Sequence, residues 1–136
     1  MRYLFAILFL ASVILWAEPN WRLDYEKAKA DAQKSGKPML VLLVSHTCRW
    51  CLRLENRTLQ NPRVSDYVNR RFIPVLLYRE EGDFPDFIHS AMVPTTFFLT
   101  PDEKMITKPV VGYWPPKEYM SDLEEAVKRF ESRPKR

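Results

Sequence analysis

The amino-acid sequence predicts an α/β domain with a central four-stranded mixed sheet flanked by helices. Three observations carry that expectation. Met39 to Val44 is an unbroken apolar run of six residues, too short for a stable helix and suited to a strand buried on both faces. Apolar residues recur at helical spacing in separate stretches before and after it. Three further short runs, Phe72 to Leu77, Thr95 to Leu99 and Met105 to Val111, read as strands.

In chain order, Trp21, Tyr25, Ala28 and Ala32 predict a first helix, which Gly36-Lys37-Pro38 ends. The strand 39–44 follows, then a second helix from about Cys48 to Leu59. Asn61-Pro62 supplies an N-cap and first helical residue for a third, with Val64, Tyr67 and Val68 facing inward. Phe84 to Ala91 reads as one or two helical turns between the second and third strands. Thr100-Pro101-Asp102-Glu103 is a turn with proline in its favoured second position. From Pro116 a last helix carries Tyr119, Met120, Leu123, Val127 and Phe130 inward. Proline inside a strand is tolerated mainly at sheet edges. Pro74 and Pro109 therefore nominate their strands as the two edges and leave 39–44 and 95–99 in the centre.

Composition narrows the function classes. Hydrophobic residues make up 46% and charged residues 28% of the 136, a globular balance rather than a disordered one. The net charge of +4 is scattered, so no nucleic-acid stripe is expected. Gly36, Gly82 and Gly112 stand alone, which leaves no phosphate-cradling loop. At the N-terminus, Arg2 and the apolar run Leu4 to Trp16 match a signal peptide and fall short of the roughly 20 residues of a membrane span. We read residues 1–17 as a secretory signal cut after Ala17, with membrane attachment only if it is kept, and residues 18–136 as one domain. The expected location is the periplasm or the exterior, where disulfides persist.

Cys48-Arg49-Trp50-Cys51 directly follows the buried strand and opens a helix. Side chains three apart on a helix are neighbours, which suits a disulfide. A sulfur at the first turn accepts otherwise unpaired backbone N–H groups, and the helix dipole favours its thiolate. Cys48 is thus the candidate nucleophile and Cys51, one turn deeper, the resolving thiol; no external cofactor is needed beyond this redox-active pair. Two rivals stand beside that reading. A purely structural bridge would close a loop of only four residues, a small entropic gain of about 2 kcal/mol. A metal site for copper or zinc would draw on His46, Cys48 and Cys51, but a closed zinc site wants four ligands, and His89 is the only other histidine.

Val93-Pro94-Thr95, some 45 residues after the first cysteine, reads by itself as a proline at a strand start. Together with the Cys-x-x-Cys at a strand–helix junction, a hairpin and a terminal helix, it resembles the thioredoxin superfamily over residues 20–132. Asp24 to Ala28, Glu55, Thr58, Asn61 to Val64 and Val111-Gly112-Tyr113 resemble its exported members and the C-terminal domain of the membrane thiol:disulfide interchange reductase. The resemblance implies a thioredoxin-like fold and thiol–disulfide exchange, reducing or isomerising rather than strongly oxidising. It implies cysteine-containing exported proteins as substrates, a redox-recycling partner, and a monomer. It also makes Pro94 the family's cis-proline, with the Val93 backbone pairing to an extended substrate segment. The chain departs from the usual pattern at Arg49-Trp50, and at Leu42, which stands where many members carry a buried carboxylate. Proton handling for Cys51 then falls to water or Glu55. Arg49 is expected to favour the thiolate by charge, Trp50 to grip a partner surface, and His46 to modulate. A non-catalytic binding module of the same fold is the remaining alternative.

Overall fold

A computed structural model describes residues 18–134. The segment read as a signal peptide, residues 1–17, lies outside the described residues. The elements run α1 (Tyr25–Ser35), β1 (Met39–Val44), α2 (Arg49–Arg53), a π-helical turn (Leu54–Leu59), α3 (Pro62–Arg71), β2 (Ile73–Tyr78), β3 (Thr95–Leu99), β4 (Val110–Val111) and α4 (Pro116–Glu131).

The four strands form one mixed sheet in the order β2-β1-β3-β4. β1 pairs parallel with β2 and antiparallel with β3, and β3 pairs antiparallel with β4. β2, which carries Pro74, and β4, which follows Pro109, are therefore the two edges, as the sequence predicts. The reason is visible at Pro74: Leu76 directs its N–H outward to the Arg22 carbonyl, so the N–H that Pro74 lacks would have faced the outer edge rather than β1.

All six residues of β1 are buried because alternate side chains feed two cores. Leu40, Leu42 and Val44 face Leu54, Leu59, Val64, Val68, Tyr119, Leu123 and Val127 from the helices after the cysteines and from α4. Met39, Val41 and Leu43 face Tyr25, Ala28 and Ala32 of α1, with Phe97 and Ile88. Asp24 caps α1 by accepting the Lys27 N–H at 3.0 Å, and Gly36 ends it in the left-handed region at φ 73°. Asn61 caps α3 through the N–H groups of Arg63 and Val64.

Four sequence expectations are corrected. Trp21 lies ahead of α1, where it packs against the helical core. The helix expected over 48–59 is α-helical only to Arg53; Gln60 then donates to the Glu55 carbonyl, the wider spacing of a π-turn. Residues 84–91 form no helix. Pro85 interrupts them, a single turn closes from Ile88 N–H to the Pro85 carbonyl, and Ser90 Oγ accepts the Met92 N–H. Such local side-chain bonds compete with helical ones. Ile88 nonetheless plugs the α1 face of the sheet.

The returning strand expected over 105–111 shrinks to Val110–Val111 plus an isolated bridge from Met105 to Leu99. Between those pairings β3 advances from Leu99 to Thr96 while its partner advances from Met105 to Val110, two residues more. Lys108 and Pro109 sit in that bulge, where a missing N–H is harmless.

Candidate active site

The carboxyl end of β1 delivers the chain to the amino end of α2, and Cys48 is the N-cap residue there. Its backbone is extended (φ −114°, ψ 107°), which turns the sulfur back over the first helical turn. Cys48 Sγ accepts the Cys51 N–H at 3.1 Å, doing for this helix what a serine or aspartate oxygen does for others. Cys48 and Cys51 are joined by a disulfide across Cα atoms 5.2 Å apart. Cys48 is partly exposed, whereas Cys51 is 2% exposed and belongs to the helical core.

The loop before β3 closes over the same sulfur. The Val93 carbonyl oxygen lies 3.7 Å from Cys48 Sγ. The Val93–Pro94 peptide is cis, and Pro94 is buried while Val93 stays partly exposed. Gly112 N–H donates to the Pro94 carbonyl at 2.7 Å, so the end of β4 is fastened beside the pair. Gly112 has φ 89°, a conformation that a side chain would strain. One further bond fixes the segment after β4: the buried Thr58 hydroxyl, in the π-turn, donates to the Trp114 carbonyl at 2.5 Å.

The remaining sequence candidates divide. Arg49 and Trp50 occupy the exposed first turn of α2, Trp50 at 53% exposure. Glu55 is partly buried beside Trp21, Leu59 and Leu76, and loss of hydration raises its carboxyl above the ordinary value of 4.5. Leu76, which lines the same cleft as Glu55, is the β2 partner of Leu42. His46 turns elsewhere: its ring stacks on Tyr78 at 4.0 Å between centroids, and Nε2 lies 3.4 Å from Glu81. Beside it, a hydrogen bond from the Ser45 hydroxyl holds the Glu80 carboxyl below its ordinary value. Among the described residues no group of three or more His, Cys, Asp and Glu side chains is placed to hold a metal ion.

Arg53 and Tyr113 join the site without having been singled out for it. The Arg53 guanidinium carbon lies 5.4 Å from the Trp50 ring centroid and 5.2 Å from that of Tyr113, and the two rings are 5.9 Å apart. The spacing of Trp50 and Arg53, three apart on a helix opened by Cys48, was a readable signal for two of these three residues. Tyr113 was not reachable that way, because only the sheet brings it near.

A partly exposed sulfur capping a helix after the central strand, bridged to a buried one and facing an X-Pro loop, defines a thioredoxin-fold protein with a redox-active disulfide, consistent with thiol–disulfide oxidoreductase chemistry. The chain belongs to the thioredoxin-like family, whose model matches residues 20–101. It is 29% identical over 110 residues to spermatogenesis-associated protein 20 of Rattus norvegicus and 30% identical over 110 residues to that of Mus musculus. Those stretches cover 73% of this chain but only 13% of either relative.

Solved structures agree on the fold. A thioredoxin from Thermus thermophilus superposes with a TM-score of 0.69 at 23% identity, covering 80% of this chain and 86% of its own. The oxidised C-terminal domain of DsbD from Neisseria meningitidis gives 0.61 at 16% identity, covering 74% and 90%. The likeness is thus to thioredoxin-fold proteins at large and does not single out the interchange-reductase branch.

Proposed function

We propose that this protein is an exported thiol–disulfide oxidoreductase that reduces or isomerises disulfides in cysteine-containing proteins of the periplasm or exterior. The observation that carries the reading is the asymmetry of the pair: a partly exposed sulfur capped by the Cys51 N–H, and a partner sulfur at 2% exposure. The resemblance of residues 1–17 to a signal peptide supports export, and a fold neighbour described as the DsbH oxidoreductase, at a TM-score of 0.62 and 17% identity, is in keeping with the chemistry.

In the reduced protein the Cys48 thiolate, stabilised by the N–H groups and dipole of the α2 start, attacks one sulfur of a substrate disulfide. The substrate S–S bond breaks, a mixed disulfide forms on Cys48, and the departing thiolate takes a proton. Cys51 then loses its proton, to Glu55 or to water, and attacks Cys48 Sγ. The second substrate thiol leaves and the Cys48–Cys51 bond closes, so two electrons have passed to the substrate. A dithiol protein partner restores the reduced pair. Throughout, the Val93 backbone aligns an extended substrate segment beside the sulfurs.

Brief alkylation of the reduced protein at neutral pH tests the roles: Cys48 is labelled first, and equal labelling or preference for Cys51 would overturn them. Equilibration against glutathione buffers tests the direction. A potential near about −270 mV supports a reducing role and one near about −180 mV an isomerising one, whereas one near about −120 mV would overturn both.

A further inference from the structure

The arginines divide sharply by position. Ten lie among the described residues, and Arg22, Arg70, Arg71, Arg79 and Arg129 each face a carboxylate within 4.0 Å. Arg133 donates to the Met105 carbonyl. The other four, Arg49, Arg53, Arg57 and Arg63, are exposed and face no carboxylate within that distance among the described residues. All four fall in the segment from Cys48 to Val64, whose one acidic residue is the partly buried Glu55. The arginines without a carboxylate partner are therefore concentrated in the segment that the first cysteine opens.

Arg53 also sits beside both aromatic rings, 5.4 Å from the Trp50 centroid and 5.2 Å from that of Tyr113. A guanidinium drawn to aromatic rings by cation–π attraction spends no N–H donor on them and keeps its donors for a carboxylate. An arginine so placed loses less freedom on pairing than one free in solvent. Charge complementarity of this kind steers and orients an encounter more than it tightens it, which suits a partner that must bind, exchange and leave.

We propose that the surface of Arg49, Arg53 and Arg57, centred on the Trp50–Arg53–Tyr113 cluster, docks an acidic segment flanking the reactive disulfide of the client protein. This rests on the oxidoreductase reading of Cys48 and Cys51. It adds the class of substrate: disulfides beside aspartate or glutamate rather than beside lysine or arginine.

The test uses two self-quenched disulfide peptides, identical except for Glu or Lys at the flanking positions, turned over with a dithiol reductant supplying electrons. An exposed ion pair is worth up to about fivefold in binding, so two pairs predict a kcat/KM for the acidic peptide roughly tenfold or more above the basic one at low salt. The ratio should fall as ionic strength rises. In the double variant Arg53→Gln, Arg57→Gln the ratio should collapse to about 2 or less, while Arg53→Lys, which keeps the charge, should retain most of it. A misfolded variant would lose activity on both peptides together, and the wild-type ratio with its fall at higher ionic strength then decides alone. A wild-type ratio near 1, a preference for basic flanks, or a preference that survives the double variant each overturns this inference and leaves the oxidoreductase reading standing. Failure to reduce either peptide overturns that reading, and the inference with it.

Discussion

Replacing Thr96 by valine isolates one buried hydrogen bond in the wall that carries the active-site loop. Thr96 Oγ1 and the Tyr119 hydroxyl lie 2.9 Å apart, both residues at 1% exposure or less. They tie β3, two residues beyond Pro94, to α4. Burial pushes the Tyr119 phenol well above its ordinary value, so it stays protonated at any usable pH. Valine matches threonine in shape but leaves that phenol without a partner, which costs about 1–3 kcal/mol. For roughly 120 residues, an unfolding entropy of about 0.25 kcal/mol/K turns 2 kcal/mol into a drop of about 8 °C in Tm.

Tyr119→Phe should cost a similar amount by orphaning the threonine hydroxyl. The double variant, with both polar partners gone, should cost clearly less than the sum, a coupling of about 1–2 kcal/mol. Urea denaturation of the oxidised protein, followed by fluorescence and circular dichroism, measures all four corners of the cycle. Additive losses would refute the reasoning, since they would mean that each hydroxyl finds water or another partner when the other is removed.

Two further outcomes follow from the site. Desolvation raises the Glu55 carboxyl, so the native state holds this proton to higher pH than the unfolded chain. Its charged form therefore opposes folding above the ordinary value of 4.5 and not below it. Glu55→Gln should be more stable than the wild type at pH 7 and equal to it near pH 4, by urea titration at each pH; a difference independent of pH would remove burial as the cause. Gly112→Ala meets no atom within 4 Å but must hold φ 89°, so it should cost about 1–2 kcal/mol through backbone strain alone. Restoration of wild-type stability by a D-alanine introduced semisynthetically would confirm the origin, and an unchanged loss would reject it.

The architecture was legible where chemistry is local or where one residue type has few homes. β1 declared itself by six consecutive apolar residues, and two prolines sorted edge strands from central ones because the missing N–H must face away from a neighbour. The helical turns expected at 84–91 do not form, because Pro85 and the Ser90 hydroxyl favour a turn. The π-turn at Leu54–Leu59 leaves no mark in periodicity over six residues. At the site, Cys48 and Cys51 were legible from spacing and from what precedes them. Tyr113 was not, because its meeting with Trp50 and Arg53 depends on where the Thr58–Trp114 bond pins the segment after β4, a contact between residues 56 apart in sequence.

The outer margin of β2 is already occupied. Arg22 bridges to Val75, donating to the Pro74 carbonyl and accepting from Leu76 N–H at 2.9 Å each. At the opposite margin β4 offers two residues, bounded by Pro109 and by the left-handed Gly112. Neither side presents the long, flat row of free amides on which an unfolded chain could zip itself and recruit a second copy. A protein whose proposed work lays extended client segments beside its disulfide is thereby guarded against seeding their aggregation, or its own, from the rims of its sheet.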